Sequence, residues 1–156
     1  MKKIILFATI VGDVGIGEVD GVVTDIFYGE KNRPEQCVVE KTRILAEAEK
    51  QLREYFAGVR GVFDIPAEPE RGTDFERAVW SALRTIPFGE TRTYKQIAEQ
   101  IGNPAACRAV GRANGRNRIN IVVPCHRVIG AGGALTGYSA GVDIKEKLLR
   151  LEGVVQ

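Results

Sequence analysis

Apolar and polar residues change rhythm along the chain, and each rhythm predicts a different element. Residues 3–11 and 21–28 are apolar runs rich in Ile, Val and Phe and bounded by Gly and Asp, which predicts two strands with turns and room for a third strand between them. From Pro34 to Phe56 the spacing becomes helical. Val38, Ile44, Leu45, Ala48, Leu52 and Phe56 recur among charged residues, with Pro34 placed to open the helix and Gly58 to close it. The segment FDIPAEPERG, 63–72, shifts to Pro, Glu and Gly and reads as a linker, dividing the chain into units 1–65 and 66–156.

Beyond the linker the pattern is helical and short. Thr73 or Asp74 caps a helix running to about Arg84, with Phe75, Val79, Trp80 and Leu83 as its apolar stripe and Pro87 and Gly89 as its end. The stretch TRTYKQIAEQIGNPAACRAVGRANGRN reads as two helices joined at GNP, the second capped by Asn103 and running over about 104–114. Ala98 and Gly102 are small where the two would cross, as in a helix-turn-helix. VDIKEKLLRLEG predicts a last helix with Ile144, Leu148, Leu149 and Leu151 apolar, ending at Glu152 and Gly153. The expected class is α/β, in the α+β sense: a small sheet with one long helix, then a mainly helical unit.

Composition sharpens this picture at two points. The 156 residues are 44% hydrophobic, enough for a real core, and their net charge of +2 says little about partners. Its distribution says more. From Gln100 to Val142 there is no Asp, Glu or Lys, while Arg108, Arg112, Arg116, Arg118 and Arg127 give that stretch +5, a local field attractive to phosphate. Arg108, Arg112 and Arg116 are four apart and share a helical stripe, which is either a solvated face or a DNA-binding one. Three cysteines without paired spacing argue against a disulfide scaffold and fit the reducing cytoplasm. With a single histidine they reproduce no zinc spacing, so neither metal nor cofactor is expected. MKKIILFATIVGDVG has the lysines and apolar run of a secretory signal but lacks a small-x-small cleavage site and is too short to span a membrane; a first strand accounts for it.

The candidate chemistry lies in IVVPCHRVIG, 121–130. His126, the only histidine, stands beside Cys125. On a continuing strand the two side chains would diverge, but Pro124 suits a strand's end, which leaves cooperation at a turn open. Glu152 sits at the unfavourable, negative end of the last helix, a placement that a cation or a histidine would explain. GAGGALTGYSAG, 130–141, holds five glycines without a nucleotide-binding pattern and reads as a lid close to a planar ligand or as a plain surface loop. A cysteine hydrolase and a non-enzymatic helix-turn-helix module remain alternatives on these features alone.

The run RAVGRANGRNRINIVVPCHRVIGAGGALTGYSAGVDIKEKLLRLEG closely resembles the active-site region of O6-alkylguanine-DNA alkyltransferases, with PCHRV, the upstream Asn117 and the downstream TGYSAG as the most specific elements. The resemblance covers about Thr73 to Gly153. It implies a ribonuclease H-like first unit, a winged helix-turn-helix second unit, and repair by a single irreversible transfer of an alkyl group from guanine O6 to Cys125. By the same resemblance His126, oriented by Glu152, activates the thiol through a water, and Tyr94 protonates N3 of the leaving base. Ser139 and the backbone of Tyr138 lie near O6, the carbonyls of Cys125 and Val128 receive the exocyclic amine, and Asn117 ties the recognition helix to the active-site turn. Arg108, Ala109 and Arg112 belong to the helix placed in the minor groove, with Arg108 filling the stack vacated by the flipped nucleotide. The implied partner is double-stranded DNA carrying O6-alkylguanine, bound by a monomer with no metal and no membrane. Cys37 and Cys107 are expected to pack, Asn120 stands where an apolar residue or proline is common, and Asp143 ranks behind Glu152 as a carboxylate for His126.

Overall fold

The computed structural model describes residues 1–135 and 137–154. Its chain divides into two compact units, the first ending at Glu70 and the second beginning at Arg71.

In the first unit β1 (Lys2–Thr9), β2 (Gly12–Val19) and β3 (Val22–Tyr28) form an antiparallel meander, and β4 (Cys37–Val39) adds parallel to β1 at the edge, giving the order β3-β2-β1-β4. Helix α1 (Arg43–Phe56) packs on this sheet, and Leu45, Ala48, Leu52 and Tyr55 join Ile4, Val14, Ile16, Val23 and Ile26 in a core from which water is fully excluded. The helix begins nine residues later than its periodicity predicts. Thr42 is its N-cap, accepting from the Leu45 N–H, while Cys37–Val39 pairs with Lys2–Ile4, so Val38 lies in a strand. The β-branched pair Val38–Val39 finds a ladder there, and that non-local pairing overrides the local helical spacing.

The stretch read as a linker is also partly structured. The Val23 N–H donates to the Pro66 carbonyl, the Glu68 N–H donates to the Val23 carbonyl, and Gln51 exchanges two hydrogen bonds with the backbone of Asp64. Residues 64–68 thus belong with the first unit.

In the second unit α2 (Asp74–Leu83) and α3 (Tyr94–Gln100) each open with a complete capping box, Thr73 with Glu76 and Thr93 with Gln96. Helix α4 (Cys107–Gly115) packs against both. It starts three residues later than Pro104, because Asn103 to Ala106 closes a turn of its own, the Ala106 N–H donating to the Asn103 carbonyl at 3.0 Å, and no side chain caps the helix. The Trp80 indole N–H, buried, donates to the Ala113 carbonyl at 2.8 Å and pins the last turn of α4 to α2.

A second, unanticipated pairing joins β5 (Arg92–Thr93) to β6 (Val128–Ile129) in parallel. It sets the start of α3 beside the residues that follow Cys125. Helix α5 (Val142–Leu151) closes the unit with Glu152 as its C-cap and Gly153 at φ +80°. Within the Gly-rich segment Ala131–Gly133 forms a short 3-10 turn, and Thr136 lies outside the described residues. Among the described residues no helix is long and apolar enough to cross a membrane.

Because Thr73 satisfies a backbone donor at the first turn of α2, Thr73→Ala should lower the unfolding free energy of the second unit by about 1 kcal/mol, with Thr73→Ser near wild type. Urea denaturation followed by Trp80 fluorescence measures this, and an unchanged midpoint in the Ala variant would show that the cap contributes nothing.

Candidate active site

The chain between α4 and β6 is folded on itself by Asn117. Its side-chain amide donates to the Val123 carbonyl at 2.8 Å and to that of Ile119 at 3.4 Å, and its oxygen accepts from the Ile119 N–H at 3.0 Å. Inside this loop Ile121 adopts φ +72°, a left-handed conformation unfavourable for a β-branched residue, and it is held there fully buried. The loop delivers Cys125–Arg127 as a 3-10 turn in which all three side chains are buried. A turn, unlike a strand, permits Cys125 and His126 to serve one site.

His126 is completely enclosed. Its Nε2 lies 2.6 Å from Glu152 Oε2, and its Nδ1 has no hydrogen-bond partner among the described residues. Glu152 is held on the other side by Arg127, whose Nε donates to Oε1 at 2.8 Å and whose Nη2 donates to Oε2 at 3.2 Å; the Gly89 N–H adds a third contact to Oε1 at 3.2 Å. Arg127 Nη1 in turn donates to the Ile86 carbonyl at 2.7 Å. The arginine is thus satisfied inside the protein. Burial holds the His126 pKa below its ordinary value; Glu152 opposes that shift, and the charges of Arg127 and Lys145 reinforce it.

Cys125, 3% exposed, has its thiol pushed above the ordinary range by burial, against the opposing influence of the Asn117 amide, the Lys145 charge and the Tyr138 hydroxyl. The Asn120 Oδ1 lies 3.6 Å from Cys125 Sγ and also accepts from the Tyr138 hydroxyl at 3.3 Å. Lys145, wholly buried on α5, donates from Nζ to the Val128 carbonyl at 2.5 Å, and burial brings its pKa down to about 8. The Cys125 carbonyl accepts both the Val128 N–H and, at 3.3 Å, the Asn114 amide.

The structure therefore gathers Cys125, His126, Glu152, Asn117, Val128 and Tyr138 into one buried cluster. Tyr94, the first residue of α3, borders α4 and the Gly-rich loop: a Cβ at Gly111 would stand 3.9 Å from its ring, and one at Gly137 would meet its hydroxyl at 2.9 Å. Ser139 is exposed, as are Arg108 and Arg112 on α4, while Ala109 is half-buried. Asp143 is an exposed first-turn residue of α5, and Cys37 and Cys107 are half-buried free thiols.

Three participants escape the sequence pattern, Arg127, Asn114 and Lys145, whereas Asn120 stands out there as a departure. Only Lys145 leaves a usable signal, since it stands three and four residues before Leu148 and Leu149 on the buried stripe of α5. The basic field also changes. Arg127 is neutralised inside and Arg116 pairs with Glu76 at 3.2 Å, so Arg108, Arg112 and Arg118 are the exposed arginines of the stretch with no ion pair among the described residues. No group of three or more His, Cys, Asp or Glu side chains suited to a metal occurs among the described residues.

Comparison with known proteins agrees with this geometry. Residues 74–154 match the family model described as 6-O-methylguanine DNA methyltransferase, DNA binding domain. The methylated-DNA--protein-cysteine methyltransferase of Methanosarcina acetivorans is 61% identical over 115 residues, 74% of this chain and 73% of that protein. That of Mycolicibacterium paratuberculosis is 61% identical over 113 residues, 72% and 68% of the two chains. The crystal structure of Mycobacterium tuberculosis OGT in complex with DNA superposes with a TM-score of 0.90 at 45% identity, covering 96% of this chain and 92% of that one. A Pyrococcus kodakaraensis O6-methylguanine-DNA methyltransferase follows at 0.61 and 27%, covering 99% and 100%. With a buried Cys-His-Glu cluster behind a helix-turn-helix and these relatives spanning both units, the chain belongs to the methylated-DNA-protein-cysteine methyltransferase family, enzymes that transfer an alkyl group directly from O6 of guanine to an active-site cysteine.

Proposed function

We propose that Cys125 is the acceptor and that this chain repairs O6-alkylguanine in double-stranded DNA in a single, irreversible turnover. The observation that carries the reading is the enclosed array Glu152, His126 and Cys125, with one imidazole nitrogen bound to the carboxylate and the other, Nδ1, unpartnered among the described residues. A neutral imidazole with a free nitrogen is a base, and Glu152 stabilises the imidazolium that forms when it takes a proton. Burial keeps the thiol protonated at rest, so the proton leaves only as attack begins, relayed from Cys125 to His126 Nδ1 through one water.

The chemistry then balances without a cofactor. The sulfur forms a bond to the alkyl carbon, the carbon–O6 bond breaks, and its electron pair remains on guanine, which takes a proton at N3 from the Tyr94 hydroxyl. The product thioether has no carbonyl for water to attack, so the protein is consumed. Ser139 and the backbone of Tyr138 border O6, and the carbonyls of Cys125 and Val128 receive the exocyclic amine. Asn117 serves as the strut between the recognition helix and the thiol turn.

A carbon inside stacked duplex lies beyond the reach of a buried thiol, so the nucleotide is flipped out, at a cost of a few kcal/mol. Exposed Arg108 and Arg112, with Ala109 between them on α4, form the surface for the minor groove, whose degenerate pattern suits repair in any sequence. The solved DNA complex of the Mycobacterium tuberculosis relative supports that partner. The acting unit is read as a monomer, and the free thiols of Cys37, Cys107 and Cys125 fit the cytoplasm.

Incubation with duplex carrying one O6-methylguanine should add one methyl per protein, mapped by peptide mass spectrometry to Cys125 and lost in Cys125→Ala. Repeated turnover by an unmodified protein would mean a hydrolase instead. The transfer rate should rise with pH as His126, held below its ordinary value of about 6.5, loses its proton, and then stay level between pH 7 and 8, where the imidazole is neutral and the thiol, held above about 8.5, is still protonated. A rate that climbs steadily through that window would indicate attack by free thiolate without the imidazole. Arg108→Ala should slow repair of duplex on the order of tenfold while leaving reaction with free O6-benzylguanine unchanged; equal losses would remove Arg108 from nucleotide flipping.

A further inference from the structure

Asn120 is a polar residue set between two buried isoleucines, Ile119 and Ile121, and is itself only 8% exposed, yet the reaction proposed above gives it no task. Its backbone has little freedom. The Asn120 carbonyl accepts the Val122 N–H at 2.8 Å, the Ile119 N–H is held by Asn117 Oδ1, and Ile121 beyond it stands at φ +72°. From this fixed backbone the side chain reaches the reacting atom. Oδ1 lies 3.6 Å from Cys125 Sγ, a hydrogen-bond separation for an atom as large as sulfur, and accepts the Tyr138 hydroxyl at 3.3 Å.

A thiol has one proton, which points one way at a time. At rest it is donated to Asn120, whereas alkyl transfer requires it to leave toward His126 Nδ1. The two arrangements compete. An acceptor at sulfur favours the protonated form, and its lone pairs repel a thiolate. The other groups acting on the sulfur work the opposite way. The Asn117 amide, the Lys145 ammonium of α5 and the Tyr138 hydroxyl all favour negative charge there, with His126 next in the chain and Glu152 and Arg127 behind it. Asn120 Oδ1 is the acceptor set against them. An apolar residue or proline in its place would offer the thiol proton nothing.

We infer that Asn120 is a positioning residue that detains the proton on Cys125, so that the thiol is slow toward small electrophiles and oxidants and is kept for an alkylated base. This role rests on the reading of Cys125 as the acceptor and adds to it a restraint on the same sulfur. Tyr138 shares the restraining oxygen, so the Gly-rich segment also bears on how firmly the proton is held.

Two measurements test this: titration of Cys125 by the ultraviolet absorbance of its thiolate, taken as the difference from Cys125→Ser in the same background, and the rate of its carbamidomethylation by iodoacetamide at neutral pH, with Cys37 and Cys107 resolved by peptide mass spectrometry. Asn120→Ala should move the titration midpoint downward and speed carbamidomethylation on the order of tenfold, the factor that one pKa unit represents. Asn120→Asp, which retains an acceptor and adds negative charge, should move the midpoint upward. A pocket merely loosened by Asn120→Ala would react faster about an unmoved midpoint, and that result would overturn the inference, as would an Asp variant whose midpoint stays at or below that of wild type. Wild type supplies a check that needs no Asn120 variant to fold. The infrared S–H stretch lost in Cys125→Ser should lie at the frequency of a hydrogen-bonded thiol, and a band at the free-thiol position would count equally against the role of Asn120. A wild type whose Cys125 takes no methyl from O6-methylguanine duplex, while its titration and infrared band behave as stated, would sink the proposed reaction alone, which separates the two failures.

Discussion

The second unit is organised around one carboxylate. Glu152 receives His126, Arg127 and the Gly89 N–H, and so ties the end of α5, the 3-10 turn that carries Cys125 and the loop ahead of β5 to a single point. A charge withdrawn from water in this way is tolerable only when its lone pairs are all claimed and an opposite charge is near. Arg127 meets the second condition while the same carboxylate holds the imidazole. The arginine is therefore as much a part of the buried array as the histidine and the glutamate it joins.

Around that point the site is built to hold a thiol rather than a thiolate. Burial raises the Cys125 pKa, and the nearby Asn120 oxygen suits an S–H donor. The Asn117 amide, the Lys145 ammonium and the Tyr138 hydroxyl pull the other way and become most useful once negative charge grows on sulfur. A protein that can react only once gains from this division. A resting thiolate is open to oxidation and stray electrophiles, whereas a thiol that ionises against a positioned base keeps its one reaction for the base that fits.

Local rules carried much of the fold. The first strands, α2, α3 and α5 follow from apolar periodicity and from caps such as Thr73 and Thr93, whose partners stand three residues away. What stayed hidden depends on distant partners. Val38 looks helical until Cys37–Val39 meets Lys2–Ile4, and the two-residue strands β5 and β6 carry no periodicity at all. At the site, Cys125, His126, Asn117 and Tyr138 were legible because their motif is short and specific, and Glu152 because it stood at the wrong end of a helix dipole. Arg127 read as a phosphate-seeking cation because nothing local says that a residue 25 positions away neutralises it.

The two arginines engaged by carboxylates of the protein itself, Arg127 buried and Arg116 at the surface, bear on how the protein travels. A reader of the chain counts five positive charges between Gln100 and Val142, but among the described residues only Arg108, Arg112 and Arg118 of these are exposed without an ion pair. Few phosphate contacts mean few displaced counterions and a modest hold on undamaged duplex. Such a hold lets go quickly. For a molecule that cannot be used twice, brief stays on intact DNA leave it free to examine many base pairs before it is committed to one.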